Sequence, residues 1–408
     1  MVLWNISYCT YKYLFFQMKI LQTIYDLTPQ SGGPSTCVCD IMQGMYELRQ
    51  DVSDDCLVEL LTVKPEDIHV DNLGAGSAWL KEVPYDYKTP IRYSKNIRKE
   101  LQCGDYDIYH ANTLWTDAAH STCAHARKVG KPYLISPHGM LYPTALAISS
   151  WKKKIMLKLW FNEDIREATC LHATCRQEME HCRDFGYNGP IAVIPNAVVF
   201  PKGVNLKREN YTDEKGRRQI GFLGRLHPIK KVENIIYAID KLTEQQKRSL
   251  SFQIMGKYDD DYEKWLKSEV ERLGLTNCVD FVGFVSGSDK YERLSKLSAL
   301  MVPSDQENFG MIVPESLLCG TPVYSSLGTP WEELNEFGCG WWRDNSPEVI
   351  AEVLRDILNT SEENLLEMGQ RGRKLIEDKY EQHKVASMMI NLYNWILDKG
   401  TKPDFVYE

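Results

Sequence analysis

The chain has 408 residues, and 48 Lys and Arg against 56 Asp and Glu leave a net charge of −8. Hydrophobic residues make up 43% and charged residues 25%, a balance that buries real cores and excludes disorder, collagen and a disulfide-rich mini-domain. The acidic excess excludes a protein that coats nucleic acid by bulk charge, but leaves room for a local basic pocket for an anion.

Residues 1–17 form an aromatic, apolar leader interrupted by Asn5, Ser7, Thr10 and Lys12. It is too short and mixed for a spanning helix, and it lacks a basic n-region and a small-residue cleavage site. It reads as an extension outside the fold's plan, ahead of a natural start at Met18; a peripheral membrane touch and an extra strand or helix are the competing readings. From Met18, strand-like apolar runs alternate with amphipathic stretches. The runs are Met18–Ile24, Leu57–Val63, Ile108–His110, Tyr133–Ser136, Cys170–Ala173 and Ala192–Pro195. Between them lie helical patterns such as Ala118–Val129 and Trp151–Ile165. This βαβ rhythm predicts a mainly parallel sheet covered by helices. The polar, charge-rich stretch Lys202–Arg218 has no apolar periodicity and reads as an interdomain linker. A second series follows: Gln219–Leu223, Ser251–Met255, Val279–Val282, Ala299–Val302 and Pro322–Ser325. At about 150 residues per domain the length is close to three domains, and it fits two large ones equally well. Two successive α/β domains are expected, 18–201 and 202–384, with a cleft between them where ligands bind at the carboxyl ends of the strands. A last helical stretch, Val385–Leu397, could pack on either. No segment offers the roughly 18 apolar residues of a spanning helix, so a soluble protein is expected.

The 12 Cys are scattered, without C-x-x-C pairs or zinc spacing. They read as small buried hydrophobes in a reducing compartment. Three loops carry chemistry. Ser31-Gly32-Gly33-Pro34 follows the first strand and opens a helix; consecutive glycines let backbone amides approach a ligand. It is not a dinucleotide fingerprint. Gly224-Arg225-Leu226-His227-Pro228-Ile229-Lys230-Lys231 follows the first strand of the second series, and its cations at a strand end can bind a diphosphate. Glu307-Asn308-Phe309-Gly310-Met311-Ile312-Val313-Pro314-Glu315 follows Ala299–Val302, with Glu315 on the first turn of a helix expected over Glu315–Cys319. Asp259-Asp260-Asp261 contains a D-x-D, a manganese motif elsewhere, but reads here as acids capping a helix N-terminus. Trp151-Lys152-Lys153-Lys154-Ile155-Met156-Leu157-Lys158-Leu159-Trp160 has four Lys and no acid. It reads either as a solvated helix face or as a helix that presses Trp and Leu into an anionic headgroup layer. Trp115 and Trp331 follow strand ends and could stack on sugar rings or pack in the core. Arg343 has no evident role.

The E-x7-E spacing with E-N-F-G inside it resembles the retaining glycosyltransferases of family 4, which have the GT-B fold of two Rossmann-like domains facing a central cleft. G-R-L-x-P-x-K at Gly224–Lys230 is similar to that family's diphosphate loop. Ser136-Pro137-His138-Gly139-Met140-Leu141 resembles its first-domain loop, and Pro195-Asn196-Ala197-Val198 its interdomain P-N-G-V, with Ala for Gly. The resemblance runs from about Met18 to Tyr380 and implies that a return helix, 385–400, packs back on the first domain. It implies that Arg225 and Lys230 neutralise the leaving diphosphate and that Glu307 binds sugar hydroxyls near the anomeric carbon. The amides of Asn308, Phe309, Gly310 and Met311 would contact phosphate or sugar, and Glu315 the ribose. His138 would lie over the donor sugar, and Gly32 and Gly33 would approach the phosphates or acceptor. The family often has Gly where this chain has Lys231; the register from Arg225 favours Lys230 as the inward lysine.

The implied activity is front-face transfer from a nucleotide-diphosphate sugar such as a UDP- or GDP-sugar, with no metal or other cofactor. The implied acceptor is a surface polysaccharide or lipopolysaccharide, and a cytoplasmic enzyme is expected; peripheral contact with the membrane is the reading in which the Trp151–Trp160 helix docks on headgroups. The alternatives are a GT-B non-transferase such as a sugar-nucleotide epimerase, which the intact E-x7-E opposes, and a non-catalytic nucleotide-sugar binding subunit.

Overall fold

A computed structural model describes residues 18–408 except 53–55, 89–90, 202, 205, 207–210 and 257–259. The leader 1–17 therefore lies outside the described residues. The first sheet contains β1 (Met18–Thr23), β2 (Cys56–Val63), β3 (Leu80–Val83), β4 (Ile108–Asn112), β5 (Tyr133–Ser136), β6 (Cys170–Ala173) and β7 (Ile191–Val193). The second contains β8 (Arg218–Leu223), β9 (Leu250–Met255), β10 (Val279–Gly283), β11 (Ala299–Val302), β12 (Val323–Ser326) and β13 (Gly340–Arg343). A short β14 (Val406–Tyr407) returns to the first sheet.

The first sheet runs β14-β7-β6-β5-β4-β1-β2-β3 and the second β10-β9-β8-β11-β12-β13. All pairs are parallel except β14 with β7. Ile20 of β1 pairs with Val58 of β2 and Ile108 of β4, which sets the register of the sheet's centre. Helices cover both faces, so most of the central strands read as mainly apolar runs without strict alternation. In β4, β5 and β6 every residue is buried.

Helix Gln382–Ile396 follows the second domain but packs on the first. Val385, Ala386, Met389, Leu392 and Tyr393 join the core that covers β1 and the helix Gly33–Val52. The two helices approach so closely that a Cβ on Gly44 would sit 3.0 Å from the Ala386 Cβ. Two connections join the domains, and they lie side by side: Val198 N donates to Tyr380 O at 2.8 Å. Ala197, where a Gly resemblance applied, is fully buried and has no positive φ, so its methyl costs no backbone strain.

The apolar runs located the strands to within two residues, and they passed over β3, β13 and β14. Those three are short, and β3 and β13 mix charge with apolar residues (Leu80-Lys-Glu-Val83 and Gly340-Trp-Trp-Arg343). The expected single helix Trp151–Ile165 is three pieces: an α-helix Ser150–Met156, a π-turn Leu157–Phe161 and an α-helix Asn162–Arg166.

Candidate active site

The second domain brings two loops together at the carboxyl ends of β8 and β11. Beyond β8, a Cβ on Gly256 would lie 1.8 Å from the Gly224 carbonyl oxygen, so the two backbones meet where only Gly fits. Arg225 is exposed at the start of the loop. A 3-10 turn, Pro228–Lys230, follows, capped by the His227 ring accepting from Ile229 N at 3.2 Å. Lys230 Nζ donates to Glu307 Oε1, and Ser304 Oγ donates to the same oxygen at 2.7 Å. Asp305 N donates to Ile229 O at 2.8 Å and ties the loops by main chain. Lys231 adopts φ 51° and turns elsewhere, to Asp305 Oδ2 at 3.3 Å and Glu233 Oε1 at 3.7 Å.

The Glu307 loop is held from below. Phe309 is 5% exposed and packs on the rings of Trp331 and Tyr380, at centroid distances of 5.2 and 5.9 Å. Trp331 Nε1 donates to Phe309 O at 2.6 Å. The Phe309 side chain is therefore core, and only its main chain remains for a ligand. Trp331, 1% exposed, cannot stack on a sugar. Gly310 takes φ 75°, which lets the chain turn into helix Ile312–Leu318, with Met311 as its cap. That helix begins three residues before the expected Glu315, because Pro314 falls in its first turn, where a missing N–H costs nothing. Glu315 Oε1 accepts from Lys290 Nζ of helix Gly287–Lys296 at 2.7 Å. Burial pushes the Glu315 carboxyl up, and the ammonium of Lys290 opposes the shift.

The first domain supplies the facing wall. Gly32 has φ 90°, and Gly33 opens helix Gly33–Val52. A Cβ on either would meet nothing within 4 Å, so space stands above this turn. Two turns along the helix, the Asp40 carboxyl is pushed up to about 7 by burial and by Glu315 across the cleft, against the pull of Lys290. His138 and Gly139 both have positive φ, 50° and 78°. Strain at a non-glycine residue such as His138 is held in place by its surroundings. Here the clamp is Glu178, 1% exposed, which accepts from Gly139 N, from Thr174 N at 2.7 Å and from Thr174 Oγ1 at 2.8 Å. The domains meet at this loop. A Cβ on Gly139 would sit 3.1 Å from the Asn308 Cβ. Asn308 Nδ2 donates to Thr174 Oγ1 at 3.0 Å, Cys175 Sγ to Asn308 O at 3.2 Å, and Thr144 Oγ1 to Gln306 Oε1.

A model of the family described as "Glycosyl transferases group 1" matches residues 204–375, and a "Glycosyl transferase 4-like domain" matches 32–197. The chain is a group 1 glycosyltransferase of GT-B architecture. An uncharacterized glycosyltransferase of Methanocaldococcus jannaschii is 25% identical over 304 residues, 71% of this chain and 75% of its own. A 2-deoxystreptamine glucosyltransferase of Streptomyces kanamyceticus is 25% identical over 360 residues, 80% and 84% of the two chains. The fold matches that of Anabaena HepE, solved in complex with UDP and glucose, with a TM-score of 0.68, 19% identity and coverage of 93% and 100%.

In this glycosyltransferase, the fold thus gathers Lys230, Glu307, Asn308 and the His138–Gly139 loop at one cleft. Glu315 lies toward the helix that Gly32 and Gly33 open. Three polar residues escaped the sequence reading: Glu178, Lys290 and Asp40. Cys175 and Glu178 sit at N-cap and N3, a capping-box spacing that marks a helix start but says nothing of a reach to Gly139. Lys290 and Asp40 stand on ordinary amphipathic helices; the packing of two second-domain helices gives Lys290 its contact with Glu315, and only the closure of the domains brings Asp40 to it. Trp115 packs on Phe161, with ring centroids 5.3 Å apart. Arg343 lies in β13, 3.9 Å from Asp356. Of the D-x-D, Asp259 lies outside the described residues, Asp260 opens helix Asp260–Arg272, and Asp261 is exposed. Among the described residues no His, Cys, Asp and Glu cluster could hold a metal.

Proposed function

We propose that the enzyme is a retaining glycosyltransferase that moves a sugar from a nucleotide-diphosphate donor to a hydroxyl of a growing surface glycan. The observation that carries this reading is the placement of Lys230 on Glu307, facing the His138–Gly139 loop across the cleft. Cation and carboxylate at one point suit a reacting centre with a departing diphosphate on one side and sugar hydroxyls on the other. As the bond from the anomeric carbon to phosphate loosens, negative charge grows on the diphosphate. Arg225, Lys230 and the amides of the 308–311 loop stabilise it. Glu307 holds sugar hydroxyls and stabilises the oxocarbenium-like centre. The acceptor hydroxyl enters on the same face and passes its proton to the departing phosphate oxygen, so configuration is retained. Glu315 takes the ribose hydroxyls beside Lys290. Fixed cations do the work a divalent ion would do, so EDTA is expected to leave turnover intact.

The acceptor reading is lipid-linked, and its support is a surface feature. Ile148, Trp151, Ile155 and Leu159 are 69%, 64%, 50% and 58% exposed; Trp151 and Ile155 are four apart on one face of helix Ser150–Met156, with Ile148 just before that helix and Leu159 in the π-turn after it. Lys152, Lys154 and Lys158 are exposed among them. Lys153 turns inward to the Ala145 carbonyl, and Trp160 packs on His120, so the patch is narrower than the sequence suggested. An apolar ridge with lysines beside it suits an anionic headgroup layer. No helix among the described residues is long and apolar enough to cross a membrane. The eleven described cysteines that carry free thiols, most of them buried, suit a reducing cytoplasm.

The test is a panel of UDP-, GDP- and ADP-sugars, read by thermal shift and then by turnover. One donor should raise the melting temperature, because a ligand bound only to the native state stabilises it. With that donor, Lys230→Ala and Glu307→Ala should each cost about a hundredfold or more in kcat. Unchanged turnover in both would show that the site lies elsewhere, and loss on EDTA restored by manganese would overturn the metal-free reading.

A further inference from the structure

One hydrogen-bond chain runs under the carboxyl ends of the first sheet, from the main chain before the interdomain connection to His138. Its direction can be derived link by link. The Ile194 carbonyl can only accept, so His172 Nε2, 2.9 Å away, carries hydrogen. In a neutral ring Nδ1 is then the acceptor. It takes the proton of Ser136 Oγ at 2.7 Å. The Ser136 oxygen accepts in turn from His110 Nε2 at 2.7 Å, which leaves His110 Nδ1 to accept from the Tyr393 hydroxyl at 2.8 Å. The Tyr393 oxygen accepts from Gln22 Nε2 at 2.9 Å. Gln22 Oε1 then accepts from Asn112 Nδ2 at 2.9 Å, and Asn112 Oδ1 is left facing His138 Nε2 at 3.4 Å.

Every link has one donor and one acceptor, and both amide orientations follow from the carbonyl at the far end. Gln22, His110, Asn112, Ser136, His172 and Tyr393 are at most 3% exposed, so water does not compete. We propose that this one-way chain fixes His138 as the Nε2–H tautomer, with Nδ1 bare as an acceptor for a ligand hydroxyl, and that Tyr393 is the positioning residue that sets it. Tyr393 belongs to helix Gln382–Ile396, which the chain reaches only after building the second domain. The cleft histidine is thus set from both interdomain connections: Ile194 precedes the outward one, and Tyr393 follows the return. The three rings must all stay neutral for the pattern to hold. Burial does this, holding His138 down at about 3, His172 at about 4 and His110 well below the ordinary value of 6.5.

The use of Nδ1 by a sugar or acceptor hydroxyl rests on the proposed transferase function; the tautomer does not. The experiment separates them. The full chain, labelled with 15N-histidine and free of ligand, is examined by long-range proton–nitrogen correlation, with His138 assigned from the His138→Gln spectrum. The expected result is a protonated Nε2 and a bare Nδ1 on His138 across neutral pH. Tyr393→Phe, which keeps the ring and removes the proton donor, should leave His138 in mixed tautomers and lower kcat about tenfold or more while donor KM moves less. A wild-type His138 protonated at Nδ1, or doubly protonated, overturns the proposal, as does a folded Tyr393→Phe that keeps the wild-type tautomer. The wild-type spectrum decides even if that variant does not fold. Expected tautomers in a protein that transfers no sugar would refute the function and leave the chain of bonds standing.

Discussion

At the scale of single residues, two neighbours with the same charge do different things. Lys230 reaches Glu307, whereas Lys231 occupies a left-handed backbone position and pairs with Asp305 and Glu233. A side chain in that conformation costs roughly 1–2 kcal/mol, and exposed ion pairs return about 0–1 kcal/mol each. Lys231→Gly is therefore expected to leave turnover close to wild type, whereas Lys230→Ala abolishes most of it; equal losses would mean that both lysines serve the diphosphate. Glu178 gives a second expectation. Glu178→Ala orphans donors at Gly139 and Thr174, and a buried unpaired polar group costs about 1–3 kcal/mol. The variant should melt several degrees lower and lose kcat through the freed His138 loop. Glu178→Gln, which keeps an acceptor oxygen, should recover part of both, as read by thermal melting and steady-state kinetics. The loop motifs around Glu307 and Lys230 were legible in the sequence because each is short and local. Glu178 was not, because its partner is 39 positions away and the contact exists only after β5 and β6 pair.

At the scale of elements, the segment 148–166 shows how pattern and structure part. Four lysines and two tryptophans were visible as a basic amphipathic stretch. The π-turn at Leu157–Phe161 was not, since it depends on Phe161 entering the core at 1% exposure. The extra residue in that turn rolls Trp160 inward and leaves Leu159 outward. Replacing Trp151, Ile155 and Leu159 together by Ser should abolish co-flotation with vesicles rich in anionic lipid and leave hydrolysis of the soluble donor unchanged. Wild-type protein that fails to float on such vesicles would remove the ridge from the acceptor argument. Gly139 makes the corresponding point for the cleft. Gly139→Ala meets both a positive φ and Asn308 at 3.1 Å. It should push the domains apart and lower kcat/KM, with a smaller change in the affinity of the second domain for nucleotide alone.

At the scale of the whole molecule, the domains close over acids. Asp40 and Glu315 face one another with Lys290 as their shared cation. A carboxyl with a folded pKa of about 7 against an ordinary 3.8 holds its proton more tightly when folded. Its stabilising contribution is complete below about pH 4 and is lost as pH rises through 7. Asp40→Asn is therefore expected to melt higher than wild type at pH 8 and close to it at pH 4. A parallel pH dependence in the two proteins would mean that Asp40 ionises freely. The two-domain plan could be read from the βαβ rhythm, because parallel strands covered on both faces stand out as mainly apolar runs. The closure could not, since Asp40 and Glu315 are 275 positions apart.

The return of Gln382–Ile396 to the first sheet sets an order of events during synthesis. The β1 sheet lacks one cover, including Tyr393 and Leu392, until the ribosome has released the entire second domain. The later-made half is therefore the first that can finish folding, and the earlier half waits with an apolar face uncovered. Chains truncated just after Lys379 and released should contain a protease-resistant second domain and a first domain that is still cut. Equal resistance of both halves would show that the first sheet folds without its last helix.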